Sequence, residues 1–388
     1  MTVKIVHTAD NHLDPKLSYL GSKAMERRLD FYNSFKKVVD FVVENKPHLF
    51  LVSGDLFDSI NPRNPVRTRV LQAFRKISSE GVKIFVIGGN HDMPRSQEEG
   101  MSPLSEIEAA GYAVFFSGFK EFHVEHLNIG GFDVAVTGLS YDPTLDASVN
   151  PLRYYNLKIP LEGDINIAML HYNFSGFKIP KSWVAPTITP EDIPEGLHYL
   201  AMGHLHSYSN RVVKGASIVY PGSTERRSFN EEADERKGFV YVELGTSSQA
   251  KIDFVETPSR PMKTFQVTLD ENVENPVARV VSEVPLADPQ TLVRIIVKGR
   301  LTLDKMARYS KAELLNRLEN RFFYVVVDDT ELKCLLKEVK VTAEINSPIE
   351  SYKAYFEEAM RKSEGSEAEI LRKALEIGLK TLEEVGAW

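Results

Sequence analysis

The chain has 388 residues, more than one usual domain needs, and 43% of them are hydrophobic, enough for a sizeable core. A single cysteine, Cys334, excludes an internal disulfide framework and a thiolate metal cluster and fits a reducing cytoplasm. The formal charge of −7, from 47 basic and 54 acidic residues, weighs mildly against a nucleic-acid partner, although phosphate contacts depend on local charge.

At the amino terminus nothing reads as a signal peptide, because the first strand carries Lys4 and runs directly into Asp10; no apolar run is long enough to cross a bilayer. Val3 to Thr8 reads as a buried strand and leads to Asp10-x-His12. A helix is expected from about Glu26 to Asn45. The run Leu49 to Ser53 then leads to Gly54-Asp55, and a second helix is expected from Val66 to Ser79. Val82 to Ile87 precedes Gly89-Asn90-His91-Asp92, Ile165 to Leu170 precedes His171, and Tyr199 to Met202 precedes Gly203-His204-Leu205-His206. Five strands therefore end in residues that bind metals, and strands alternating with helices mark an α/β fold, whose ligands converge at the carboxyl ends of the strands.

Two prolines between Thr257 and Pro261 mark a boundary. Beyond it, strands are expected near Met262 to Leu269, Leu292 to Val297 and Phe322 to Val327, with a helix from about Lys311 to Asn320, giving a small α/β or α+β domain. Its cluster of Arg294, Lys298, Arg300, Lys305, Arg308 and Lys311 faces only Asp304, and Arg294, Lys298 and Arg300 alternate with Ile295, Val297 and Leu301, so the basic residues share one strand face. That face is either a solvated sheet surface or a phosphate-binding one. From about Ser347, after a tether at Asn346 to Pro348, Tyr352, Tyr355, Phe356, Ala359 and Met360 recur at helical spacing; Leu371, Leu375, Leu379, Leu382 and Val385 do so again. Two amphipathic helices result, and their stripes need a surface to cover them, on this chain or on a partner. The expected domains are 1–257, 258–345 and 346–388.

Asp10, His12, Asp55, Asn90, His171, His204 and His206 have the composition of a two-metal phosphoester-cleaving site. Two divalent ions about 4 Å apart clamp the attacking and leaving oxygens of an in-line displacement, and they need one bridging carboxylate. Asp55 is the candidate bridge, because Gly54 lets the chain turn sharply there. Asp10, His12 and His206 would complete one shell; Asn90, His171 and His204 would complete the other. This mixture of carboxylate, amide and imidazole suits manganese, iron or zinc better than calcium. His91 follows a ligand directly, so it is assigned to leaving-group protonation or transition-state stabilisation, with Asp92 orienting its ring. His7, His48, His123, His126 and His198 lack a strand-end context and read as packing or surface histidines.

These residues resemble the calcineurin-like metallophosphoesterase superfamily, whose pattern is Asp-x-His, Gly-Asp, Gly-Asn-His-Asp/Glu, His and Gly-His-x-His. Ala9-Asp10-Asn11-His12-Leu13, Ser53-Gly54-Asp55-Leu56-Phe57-Asp58 and Tyr220-Pro221-Gly222-Ser223-Thr224-Glu225-Arg226 narrow the resemblance to the meiotic-recombination-eleven (SbcD) DNA-repair nucleases. The resemblance implies a four-layer α/β sandwich with a small α/β capping domain and carboxyl-terminal helices. It implies two Mn2+ ions per chain, exonuclease and endonuclease action at DNA double-strand-break ends, and a nucleoid-associated place in the cytoplasm. It further implies a homodimer, for which the helices near Arg67 to Ile77 and Leu104 to Ala110 are candidate elements, and assembly of the terminal helices with a coiled-coil ABC-type ATPase of the Rad-fifty or SbcC type. The capping domain and its basic strand, with Arg294, Lys298 and Arg300, would position DNA. Asp58 stands where several such nucleases have histidine, and Tyr172-Asn173-Phe174 after His171 is bulkier than expected, which bears on substrate access. The alternatives are a phosphoesterase for a small molecule or phosphoprotein, and a non-catalytic DNA-end scaffold.

Overall fold

Alternation along the first strand explains the layering of the molecule. In Val3–Thr8, Val3 and Ile5 pack to one side and Val6 to the other, as the two-residue period of a strand requires. Leu49 and Leu51 against Phe50 and Val52, and Phe85 and Ile87 against Ile84 and Val86, divide in the same way. Apart from the exposed Lys4 and Lys83 and the buried His7, Thr8 and Ser53, these strands are apolar, because the sheet is covered on both faces. The computed structural model describes all residues except Met1, 181–182, 234–235, 247–248, 336–346, 364 and 385–388. These fall into two compact units, Met1–Lys333 and Cys334–Trp388.

In the first unit, one six-stranded sheet runs in the order Lys251–Glu256, Gly238–Leu244, Val3–Thr8, Leu49–Ser53, Lys83–Ile87, Val114–Phe116, the last four strands being parallel. A second runs Ser209–Val213, Ala216–Tyr220, Tyr199–Gly203, Ile165–His171, Phe132–Leu139, His123–Ile129, with its middle four strands parallel. Val134, Val136, Ile167, Met169 and Ala201 of the second sheet meet Ile5, Leu51 and Phe85 of the first in one core between the sheets.

Helices cover the outer face of the first sheet. Ala24–Asn45 presents Phe31, Phe35, Val38 and Val42 at helical spacing and ends where Lys46 turns left-handed. Asn64–Ser79 starts with Pro65 in its first turn, where no amide hydrogen is needed, and buries Val66, Val70, Phe74 and Ile77. Loops and one-turn helices carrying Leu152, Ile159, Ile188, Ile193 and Leu197 cover the second sheet. The layers are thus helix, sheet, sheet and loop, and the α/β class expected from the sequence holds.

A third sheet aligns Met262–Leu269, Leu292–Thr302 and Tyr324–Asp328 in parallel. The helices Pro276–Glu283 and Lys311–Leu318 close a separate core over it, with Val267, Val277, Val280, Ile295, Val297, Leu314 and Leu318. The middle strand extends five residues beyond Val297, and Phe322 lies in the core ahead of the last strand, not within it.

The second unit contains Pro348–Arg361 and Ser366–Glu384. Ser347 and Glu350 form a reciprocal cap at the first helix. The two helices meet where the Tyr352 hydroxyl donates to the Ala374 carbonyl at 3.2 Å, and a methyl group on Gly378 would overlap the Tyr352 ring. No side chain described in either helix is fully buried. The Asn346 end of the expected tether and Val385 of the leucine stripe lie outside the described residues.

Candidate metal centre

All seven expected ligands come together at the carboxyl ends of the strands. The loops are tied to one another by backbone bonds: Asp10 N donates to Gly54 O at 3.1 Å, and His12 N to Asp55 O at 3.0 Å. His91 N donates to Asp55 Oδ1 at 2.8 Å, joining the third loop to the second. His204 N donates to both Asp10 oxygens at 3.1 Å, joining the second sheet to the first. Asp10, His12, Asp55 and His204 all have positive φ, a conformation that L residues rarely adopt and that the surrounding bonds must hold.

Donor atoms face each other across two adjoining points. At one, Asp10, His12 and His206 converge, with His12 Nε2 3.0 Å from His206 Nε2. At the other, Asp10, Asp55 and His171 converge, and the Asn90 Oδ1 amide oxygen lies 3.3 Å from His171 Nε2 and 3.1 Å from His204 Nδ1. Asp55 Oδ2 stands between them, 3.8 Å from His12 Nε2 and 3.5 Å from His171 Nε2. Asp10 Oδ1 is likewise shared, at 3.9 Å from both His171 Nε2 and His206 Nε2.

Backbone and carboxylate partners set the tautomers. His171 Nδ1 lies 2.8 Å from the Ser53 carbonyl, which can only accept, so Nδ1 carries the proton and Nε2 offers its lone pair to the cluster. His206 Nδ1 donates in the same way to Glu231 Oε1 at 3.0 Å. Burial pushes His12 and His204 each down to about 3, so both rings are neutral ligands. Burial would also lower His171, but the Asp55 and Asp10 carboxylates outweigh it and raise it to about 9, so without a cation Nε2 also carries a proton, which a bound cation would displace to free that lone pair. Burial raises Asp10; it would raise Asp55 too, yet the His171 and His91 imidazoles hold Asp55 well below the carboxylate range.

Such a cluster fits divalent cations. The His204 Nε2 atom is buried with no hydrogen-bond partner, and the two imidazole nitrogens of His12 and His206 face one another across 3.0 Å. Carboxylate, amide and imidazole donors in this number are those of a divalent transition-metal site. Close packing leaves no room to spare: a methyl group on Gly54 or Gly203 would overlap the His171 ring, and one on Gly89 would overlap Asp55.

His91 is placed differently. Its side chain is 25% exposed where those of Asp10 and His171 are fully buried, so it can reach a substrate. Its Nδ1 lies 3.0 Å from the Asp58 carbonyl, which fixes the proton there. Asp92 does not orient it, contrary to the sequence expectation. The Asp92 carboxylate turns inward and accepts from Gly89 N at 2.7 Å, Leu56 N at 2.8 Å and Phe57 N at 3.3 Å, pinning the Asp55 loop to the Asn90 loop. Asp58 takes the expected place of Asp92, and its carboxylate also meets His12 Nδ1 at 3.3 Å and Arg227 Nε at 2.7 Å.

Three further residues escaped the sequence reading. Glu231 and Trp183 both lie beside His206, the Trp183 ring edge-on at 4.5 Å, and Tyr141 is edge-on to His171 at 6.2 Å. Trp183 and Tyr208 help line a 610 Å³ cavity that reaches His206. An aromatic residue near a histidine in space leaves no spacing signal when both stand on separate loops.

Tyr172 and Phe174 are fully buried in the outer core, so their bulk does not narrow the approach to the cluster. The remaining histidines are structural or peripheral: His7 Nδ1 is 2.9 Å from the Tyr199 hydroxyl, His48 and His198 accept from backbone amides, and His123 and His126 sit on an edge strand. Of the basic strand, Lys298 and Arg300 line a shallow cavity with Lys333 and Glu331. Arg294 bonds partly within the protein: its Nε donates to Thr264 Oγ1 at 3.1 Å and its guanidinium carbon lies 4.9 Å from the Phe229 ring centre.

Comparison with known proteins places this geometry. Residues 3–208 match the family described as calcineurin-like phosphoesterase. The DNA double-strand break repair protein Mre11 of Methanocaldococcus jannaschii is 29% identical over 290 residues, which cover 69% of this chain and 72% of that one. Its namesake in Methanopyrus kandleri is 29% identical over 278 residues, 69% of this chain and 60% of that one. The namesake in Sulfolobus acidocaldarius, at 22% identity, aligns over 348 residues and 86% of each chain.

Proposed function

The chain belongs to the calcineurin-like phosphoesterase family, and from that premise we propose that it is a two-metal nuclease that processes DNA double-strand-break ends. The observation that carries the proposal is the Asp55 carboxylate standing between two groups of imidazole donors. The relatives named for DNA double-strand break repair support DNA as the substrate.

Asp10, His12 and His206 would hold one ion and Asn90, His171 and His204 the other, with Asp55 shared. Manganese is the proposed ion, since nitrogen and oxygen donors mix in both groups. When bound, two divalent cations supply the charge that neutralises the phosphate and lower the pKa of the attacking water. The chain does the rest. Burial keeps His12 and His204 neutral, and the Ser53 carbonyl and Glu231 hold His171 and His206 with Nε2 turned inward. His91 keeps its Nδ1 proton on the Asp58 carbonyl, and in its imidazolium form it would carry a second proton on Nε2 to deliver to the leaving oxygen, returning to the neutral ring. Trp183 offers an aromatic face beside the centre on which a base can stack.

Residues 258–345 are proposed as a capping domain that positions DNA through Lys298 and Arg300. Residues 346–388 are proposed to bind a coiled-coil ABC-type ATPase; Tyr355, Ile370 and Ile377, each about two-thirds exposed, supply apolar surface for it. A homodimer would use Asn64–Ser79 and Ser105–Ala109, which are already joined by the Arg67 and Glu106 pair. Among the described residues no helix is long and apolar enough to cross a membrane.

A second reading, a small phosphodiester as substrate, is favoured by the net charge of −7. End-labelled double- and single-stranded DNA and bis(p-nitrophenyl) phosphate, each with manganese, magnesium or chelator, separate the two. Manganese-dependent shortening of DNA is expected. Turnover of the small ester with DNA left intact would overturn the proposal.

A further inference from the structure

Glu231 follows its neighbour His206 by 25 residues in sequence, yet almost everything around its carboxylate is arranged to hold it there. Glu231 Oε1 accepts from His206 Nδ1 at 3.0 Å and from Arg227 N at 3.2 Å, and Oε2 accepts from Lys237 Nζ at 2.7 Å and Ser223 Oγ at 3.2 Å. Lys237 is fully buried and also donates to the His206 carbonyl at 2.9 Å. A buried carboxylate facing a buried ammonium is stabilised as an ion, and an ionised carboxylate accepts the imidazole proton most strongly.

Glu231 sits in the one-turn helix Phe229–Glu231, whose Phe229 packs against a core that includes Met262 and Leu292 of the third sheet. Arg294 stacks on the Phe229 ring at 4.9 Å and donates to Thr264 Oγ1 at 3.1 Å, and the Thr264 hydroxyl in turn donates to Glu232. Both ends of the turn are therefore tied to strands that carry no metal ligand.

We propose that the Phe229–Glu232 turn is a positioning element for His206, and that Arg294 and Thr264 of the third sheet fix the orientation of that metal ligand through it. The proposal rests on the reading of His206 as an ion ligand. It gives Arg294 a role in assembling the centre. A carboxylate that orients a metal-bound histidine typically changes metal affinity by about 10- to 100-fold when it is lost. Arg294 acts one step further out, so its loss should weaken binding by roughly 3- to 10-fold.

The test is a manganese titration of the chelator-stripped full chain, read as free Mn2+ by electron paramagnetic resonance, together with the 15N shifts of the His206 ring in the metal-free protein. Wild type should bind two ions per chain and show the Nδ1-protonated tautomer. Arg294→Ala should weaken one ion and leave the other unchanged, with both His206 tautomers populated. Arg294→Lys, which keeps a cation over Phe229 and a donor for Thr264, should restore both readouts. Glu231→Gln should weaken the same ion more than Arg294→Ala does. If wild type binds two ions and Arg294→Ala gives the same isotherm and the same tautomer, the positioning role is overturned. If both ions weaken equally in Arg294→Ala, the effect is general loosening and the proposal also fails. Wild type that takes up no pair of ions would instead overturn the metal-centre reading itself.

Discussion

Gly203→Ala tests how the two sheets share one centre. Gly203 pairs with His171 in the sheet register, and a methyl group there would overlap both the Ser53 carbonyl oxygen and His171 Nδ1, the two partners of a 2.8 Å hydrogen bond. Relief requires the sheets to part or the bond to break. Leaving a buried donor and acceptor unsatisfied costs about 1–3 kcal/mol. Forcing a methyl group into a packed core costs about another 1–3 kcal/mol. A loss of roughly 2–6 kcal/mol is therefore expected on combining the two. The His171 tautomer would also be released, weakening the ion it helps to hold. Urea unfolding in chelator measures the first effect and manganese titration the second. Gly215→Ala is the control, since nothing lies within 4 Å of an added methyl group and only its φ of +88° opposes the change. If Gly203→Ala stays within about 1 kcal/mol of wild type, below the combined cost of the lost bond and the overpacking, and binds both ions normally, the packing argument is wrong.

Other perturbations separate ligand, proton donor, buried histidine and partner segment. His91→Ala should keep both ions and lose roughly 100- to 10,000-fold in turnover; DNA cleavage at saturating manganese reads this, and near-normal rates would remove His91 from the chemistry. Burial pushes His7 down to about 3, so the unfolded chain takes up a proton near pH 6.5 that the folded chain refuses. Stability from this residue is full above that pH and falls as the pH drops toward 3, by about 2 kcal/mol between pH 7 and pH 5. His7→Asn should flatten the urea-unfolding profile by that amount, and an unchanged pH slope would show that His7 does not titrate as described. A chain ending at residue 347 should still cleave DNA with manganese but fail to bind a purified coiled-coil ATPase; loss of metal binding in that chain would assign the terminal helices to the catalytic core.

Much of the centre was legible because short apolar runs end where the ligands begin. Thr8, Ser53 and Ile87 close their strands just ahead of Asp10, Asp55 and Asn90, and the apolar sequence alone marks those ends. Side-chain direction was not legible. His91 and Asp92 are neighbours in sequence, yet one faces outward and the other accepts three inner amides, because the loop turns between them. The left-handed backbone at Asp10, His12, Asp55 and His204 carries no sequence mark, since none is glycine and the inter-loop bonds impose it. Alternation placed Arg294 on one strand face correctly but could not show that Phe229, 65 residues earlier, would occupy that face. Glu231 was invisible for the same reason: its partner His206 is 25 residues away on another loop.

Anomalous diffraction from manganese-soaked crystals of the full chain addresses the two-ion centre most directly. Two peaks roughly 4 Å apart are expected, one among Asp10, His12 and His206, the other among Asn90, His171 and His204, with Asp55 between them. A single peak, or manganese bound elsewhere in protein that still cleaves DNA, would contradict the account.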